Sequence, residues 1–264
     1  MYSKEHIDYL KKYKRRKIFI VLTQIFILLF FLIAWELLSY FEVLNPFLYS
    51  APSKVFSTIV NLFKSNNLIN HILVTLYETL FSFVVASLIG FVVAGILWWN
   101  KFISEVIDPY LTILNSLPKV ALGPLIIIWV GASTNSIIIM ALLIATFTSI
   151  INIYNGFVSV DNNLIFLMRS MNANKWQIFT KVVIPSNLKN IINCFKINIS
   201  MSLIGVIMGE LLVSKSGLGY LIMYGSQVFN INLTITATFI LGIISYFMYF
   251  VINKLDIFLE KKQN

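Results

Sequence analysis

The chain has 264 residues, of which 58% are hydrophobic and only 12% charged, with a mean hydropathy of +0.84. Soluble domains carry about 25% charged residues, so this composition excludes an ordinary soluble protein and points to one embedded in a bilayer. The net charge of +9 does not indicate nucleic acid, because seven basic residues crowd between Lys4 and Lys17, directly before the first apolar run.

In chain order, six stretches reach the roughly 20 apolar residues that a bilayer demands. They are about Lys17–Tyr40, Ile72–Trp99, Leu111–Val130, Asn135–Tyr154, Leu188–Val213 and Leu233–Val251. The first is too long for the apolar core of a cleaved signal peptide and lacks a small-residue cleavage site, so it reads as an uncleaved span. Between the first two, Asn45-Pro46 and Ala51-Pro52-Ser53 mark turns. Ser53 is placed to cap a short surface helix with Val55, Phe56, Ile59, Val60 and Phe63 on one face. The third stretch is interrupted by Pro118, Gly123 and Pro124. Membranes tolerate such breaks where protein or a cavity covers the freed backbone groups.

Charge asymmetry orients the bundle. With the N-terminus inside, the inner segments hold sixteen Lys and Arg residues, Lys119 among them, and the outer segments hold Lys54, Lys64 and Lys215. Both termini then lie in the cytoplasm. The expected organisation is a basic N-terminal segment at 1–16, a six-span domain at 17–257 with an inner loop at about 162–187, and a C-terminal tail at 258–264.

That inner loop carries a polar, basic island between two apolar spans, Arg169 to Pro185. Its helical pattern suits the docking of a partner. Trp176 and Phe179 lie three residues apart and share a helix face, which suits aromatic anchors in a partner groove. Trp176 alone also suits the lipid headgroup layer. No phosphate-cradling GxxxxGK[ST], no HExxH and no GxSxG is present. Any ATP-driven step therefore belongs to another chain. The single cysteine, Cys194, forms no disulfide within the chain and reads as a packing residue.

Ionisable residues inside spans usually face a bundle interior or cavity. Glu36 and Lys196 are read as snorkelling towards the membrane surface. Glu210 either bonds the backbone of the following Ser216-Gly217-Leu218-Gly219 loop or serves a pathway. Glu78 places a carboxylate in the second span without an evident partner. Asn198, Ser202 and Gly205 are the pathway candidates in a fifth span of unusual polarity, although polar and small residues also glue helices together.

Four stretches in order carry a family resemblance. They are Leu48 to Ser53, Leu114 to Leu125 with Trp129-Val130-Gly131, the Arg169–Pro185 island, and Gly209-Glu210-Leu211 with Ser216 to Tyr220. Together they resemble binding-protein-dependent ABC importer permeases, and in particular the nitrate/sulfonate/taurine branch. The resemblance implies an all-α integral membrane protein of MetI-like permease fold with about six transmembrane helices and a cytoplasmic coupling helix. It assigns Arg169, Asn172, Lys175, Trp176, Phe179 and Pro185 to coupling with a cytosolic ABC ATPase. ATP and Mg would bind on that partner; this chain would bind no cofactor and no metal, and would not itself be an enzyme.

Glu210, Gly217 and Gly219 are assigned by resemblance to an extracytoplasmic gating loop. The other implied partners are an extracytoplasmic solute-binding protein, a second permease subunit and the lipid bilayer. The implied place is the cell membrane. The implied substrate is a sulfonate-, taurine- or nitrate-like anion, or a heterocycle of the thiamine-precursor type.

The island departs from the family's EAA pattern. Phe166, Leu167 and Met168 stand where Glu-Ala-Ala is usual, and Asn172 replaces a glycine that permits a turn. Asn is the next best residue for a left-handed backbone. Branch members commonly carry arginine where this chain has Glu78. Two other readings stand beside the importer: a proton-coupled transporter using Glu78, Glu210 and Lys196, and a membrane scaffold that recruits a cytosolic protein through the island.

Overall fold

The computed structural model describes residues 4–65 and 67–263, and every regular element among them is helical. Helix α1 (Lys4–Tyr40) absorbs both the basic segment and the first span in one piece. A short turn of helix, α2 (Pro46–Tyr49), leads into the amphipathic α3 (Pro52–Lys64). Val55 of α3 is buried, and Ile59 and Leu62 pack inward, while Phe56 and Phe63 stay exposed. Ser53 does not cap α3 as expected. The Glu36 carboxylate on α1 does so instead, accepting the Ser53 amide at 3.0 Å and its hydroxyl at 2.7 Å. Glu36 therefore ties two helices together rather than snorkelling.

Helix α4 (Asn67–Trp99) is the second span. It is followed by α5 (Lys101–Ser116), a 3₁₀ turn (Lys119–Leu122) and α6 (Gly123–Val130). The expected third span is thus a bent pair, kinked by 81° at the break around Leu117-Pro118. It starts at Lys101, ten residues earlier than hydropathy suggested, and carries Pro109 inside its first helix. Helix α7 (Thr134–Val158) is the fourth span.

The inner loop folds as α8 (Asn162–Ser170) and α9 (Lys175–Ile178). A π-helical turn (Phe179–Val183) and α10 (Ile184–Ser186) continue from α9 without a break in helical dihedrals. Helix α11 (Leu188–Val213), α12 (Leu218–Gln227) and α13 (Ile231–Gln263) complete the chain. The residues expected as a separate tail therefore continue the last helix to Gln263.

Among the described residues five helices are long and apolar enough to cross a membrane, or six where the bent α5/α6 pair is taken as one broken span. Helices α4, α7 and α11 form the tight centre. Small residues set their spacing, as expected where no water drives helices together. A Cβ on Gly205 would stand 2.4 Å from Ala141 Cα, one on Gly209 2.8 Å from Ile137 Cα, and one on Gly156 2.0 Å from Asn190 Nδ2. These three contacts keep one antiparallel register between α7 and α11. Gly90 of α4 meets Ser149 of α7 equally closely. A second apolar core joins α11, α12 and α13 through Leu203, Leu218, Leu233 and Leu241. No residue in the most apolar stretch of α1 is buried by the rest of the chain.

Candidate functional site

Three regions concentrate polar or exposed aromatic groups: the α8–α10 loop, the start of α12 at the opposite end, and the break between α5 and α6.

The loop is a helix–turn–helix with both helices capped from within. Asp161 accepts the Asn163 amide at 2.9 Å and opens α8. Asn172 closes it with φ +61°, and the Ala173 amide returns to the Met168 carbonyl at 3.0 Å. This is the left-handed turn that ends many helices, with Asn in the place glycine usually takes. Asn174 then opens α9 by a reciprocal box with Gln177, each amide donating to the other's side chain at 2.8 Å.

The next turn carries an extra residue. Such π-turns turn the side chains that follow them relative to a regular helix. Phe179, expected to face a partner, is corrected by the structure: only 7% exposed, it packs on Trp98 and Phe157 with ring centroids 5.0 and 5.4 Å apart. Trp176 does face outward, 61% exposed, with its ring 6.2 Å from Trp99. The Lys175 ammonium is bonded to the Trp99 carbonyl at the end of α4 and lies over the Trp98 and Trp99 rings. It neutralises that helix terminus and fixes α9 to the bundle. Arg169 and Pro185 are exposed. Phe166 and Met171 are 72% and 71% exposed and, with Leu167 and Trp176, put four large apolar side chains on a loop surface that is also polar and basic.

At the other end, three successive amides open α12, and three side chains from other helices receive them. Gly217 N–H donates to His71 Nδ1 at 2.9 Å, Leu218 N–H to Thr75 Oγ1 at 2.9 Å, and Gly219 N–H to Glu210 Oε2 at 2.6 Å. Thr75 in turn donates to Glu210 Oε1 at 2.6 Å. The first amides of any helix lack intrahelical partners, and here α4 and α11 supply all three. Of the two readings open for Glu210, the structure shows the backbone bond. Glu78 is buried beside it, its carboxyl facing that of Glu210 and the Thr134 side chain, with Oε2 lacking a donor. His71, Thr75, Glu78 and Ser82 form one stripe of α4 at helical spacing, a signal present in the sequence but not used above.

Asn198, Ser202 and Gly205 do not line an opening. All three are buried where α11 meets α4 and α7. Asn198 donates to Ser87 Oγ at 2.7 Å, and Gly205 is pressed on Ala141. The pathway expectation is corrected for Asn198 and Gly205, which join helices within one chain; Ser202 is buried beside them with its hydroxyl unpaired. Lys196 is corrected likewise, because its ammonium meets Asp256 at 2.6 Å.

The break between α5 and α6 is marked in the sequence by Pro118, Gly123 and Pro124, but sequence reasoning did not single out the polar groups gathered there. Lys119 Nζ donates to the Asn115 carbonyl at 3.2 Å and to its side-chain oxygen at 3.1 Å, and Thr148 of α7 reaches the same oxygen at 3.5 Å. Lys119 lies 5.8 Å from the Phe147 ring centre, level with the middle of α7. Its place among the inner-segment basic residues is therefore corrected; the 81° bend brings it into the bundle.

A multi-pass helical bundle with a broken span and a capped helix–turn–helix loop at one end is the architecture of an integral membrane protein. The chain belongs to the family described as binding-protein-dependent transport system inner membrane component, whose model matches residues 86–263. It is an ABC transporter permease, a non-catalytic, multi-pass component of the inner membrane.

The chain is 27% identical over 210 residues to a Bacillus subtilis protein named as an aliphatic sulfonates transport permease, SsuC, covering 80% of this chain and 76% of that one. It is 26% identical over 231 residues to the formylaminopyrimidine transport permease ThiX of Halalkalibacterium halodurans, covering 86% and 92%. Among solved structures, the inward-facing MetNI methionine ABC transporter matches with a TM-score of 0.61 at 21% identity, covering 72% of this chain and 96% of that one. A bacterial alginate ABC transporter in complex with its alginate-bound periplasmic protein matches with a TM-score of 0.59 at 16% identity, covering 93% and 94%. At these identities the structural matches establish the fold.

Proposed function

We propose that this permease docks a cytosolic ABC ATPase through the α8–α9 surface. The solute would be small, either a sulfonate-, taurine- or nitrate-like anion or a thiamine-precursor-like heterocycle. An extracytoplasmic binding protein delivers it to the α12 end. In this reading both termini and the α8–α10 loop are cytoplasmic, and ATP and Mg bind on the partner ATPase. The observation that carries it is that a loop with both helices capped exposes four large apolar side chains, Phe166, Leu167, Met171 and Trp176. Exposed apolar patches mark interaction sites.

A second permease subunit completes the pathway, and the uncovered span of α1 offers it a surface. The resident domain is the six-span unit at 17–257, flanked by helical extensions rather than separate domains. Nucleotide binding acts on the transport equilibrium only through contacts that differ between the two states. The α8–α9 unit, held to α4 by Lys175 and Phe179, is rigid enough to pass such a difference into the bundle.

Co-purification of the chain with its cognate ATPase tests this, comparing wild type with Trp176→Ala and Arg169→Glu. The expected result is retention by wild type and loss in both variants, with normal membrane insertion. Equal retention by both variants would show that docking occurs elsewhere.

A further inference from the structure

Lys196 and Lys119 both stand inside the helical bundle, but only Lys196 faces a carboxylate. Among the described residues Lys119 has none; its ammonium is held by the two oxygens of Asn115 and by the face of Phe147. Its depth follows from α7. Phe147 lies roughly 20 Å from the Thr134 end and roughly 16 Å from the Val158 end at 1.5 Å per residue. An uncompensated ammonium at that depth is not stable against hydrocarbon, and such groups face a bundle interior or a water-filled cavity. Lys119 is only half-buried by its own chain, and Thr112, Asn115 and Ser116 beside it are exposed and polar. The chain is also unwound at this point, between Ser116 and Lys119. Non-helical backbone at membrane depth is confined to places covered by protein or lining a cavity. Charge, polar surroundings and a broken helix therefore coincide at one point.

We propose that the α5/α6 bend lines the aqueous pathway and that Lys119 is its anion-attracting group, selecting a small oxyanion of the sulfonate type. The inference rests on the permease reading above and decides between its two substrate classes. A neutral heterocycle would leave the ammonium without a counter-charge each time the pathway closed around it, whereas an oxyanion supplies one. Asn115 holds the ammonium from behind, so Nζ keeps a hydrogen for the solute.

The test uses the complex of permease and ATPase in lipid nanodiscs. A cysteine is introduced as Ser116→Cys and, separately, as Thr112→Cys. Its modification rate is measured with an anionic sulfonatoethyl thiosulfonate and with its cationic trimethylammonium counterpart. The unaltered chain is the blank, since Cys194 is buried. Both cysteines should react from water. The anionic reagent should be favoured, and the preference should fall about tenfold when Lys119→Gln is added but persist with Lys119→Arg. Unreactive cysteines at both positions would place the bend against lipid or protein and overturn the proposal. So would an anion preference indifferent to Lys119→Gln. Either result in an assembled complex would leave the permease reading intact, whereas failure of the complex to assemble would count against that reading instead.

Discussion

Lys196 on α11 and Asp256 on α13 meet at 2.6 Å, each side chain largely withdrawn from solvent. Removing one member of a buried pair costs more than removing both, because the survivor keeps its desolvation penalty without its partner. Lys196→Ala should lower stability by about 3 kcal/mol, read as a fall in the melting temperature of the purified protein. The exchanged pair, Lys196→Asp with Asp256→Lys, should recover most of the loss. An exchange no better than the single variant would show that the pair matters only for packing.

Gly217 has φ +107° and ψ 169°, a region effectively reserved for glycine, and a Cβ there would stand 2.2 Å from Glu210 Oε1. Gly217→Ala thus adds backbone strain to a clash with the carboxylate that receives the Gly219 amide. A loss of about 2 kcal/mol or more is expected. Protease sensitivity should rise at the α11–α12 connection first. A variant as resistant as wild type would mean that α12 does not depend on this cap.

How much of this was legible beforehand depended on the range of the interaction. Hydropathy located the spans because a bilayer imposes a length on each. Asn172 was legible because turn geometry is local: the residue sits where a left-handed backbone is required, and its φ is +61°. The α12 cap was not legible, since His71 and Thr75 meet Gly217 and Leu218 only after α4 and α11 have packed. Phe179 misled because spacing says which residues share a face but not which face turns inward. Lys119 misled because a charge count assigns residues to loops, whereas the bend places this one at mid-depth.

Asn172 offers a local test of the loop. Asn172→Gly should be close to neutral, because glycine adopts the same backbone freely. Asn172→Val should cost about 1–2 kcal/mol, because a β-branched residue resists the left-handed region. The Val variant should also retain less ATPase in co-purification, since a misdirected turn tilts α9 away from α8. Equal behaviour of the Gly and Val variants would show that the turn is not what fixes α9.

Gly205 bears on Ala141 so closely that any side chain must separate α7 from α11. Overpacking of this kind costs about 1–3 kcal/mol. Gly205→Val should lower the melting temperature accordingly, and Gly242→Ala, where a Cβ would meet nothing within 4 Å, serves as the control. Gly205→Ala, which brings a single Cβ against the Ala141 backbone, should already cause part of the loss. A Gly205→Val variant no less stable than the control would show that this contact does not set the helix spacing.

The same chemical change at the two facing carboxyls should have opposite consequences. Glu210 accepts from Thr75 and Gly219 with its two oxygens, so it is the acceptor of the pair. Glu78 faces it with an oxygen that has no donor, and no lysine or arginine pairs with either among the described residues. Glu210→Gln replaces one acceptor by an amide NH₂ where two donors converge, leaving a buried group unpaired at a cost of about 1–3 kcal/mol. Glu78→Gln keeps a donor directed at Glu210 without needing a proton shared between the two carboxyls. It should leave the melting temperature unchanged or raise it. The pair of measurements, made side by side at neutral pH, separates the roles. If Glu78→Gln were as damaging as Glu210→Gln, the two carboxyls would be equivalent, and the assignment of Glu210 rather than Glu78 as an anchor of α12 would fail.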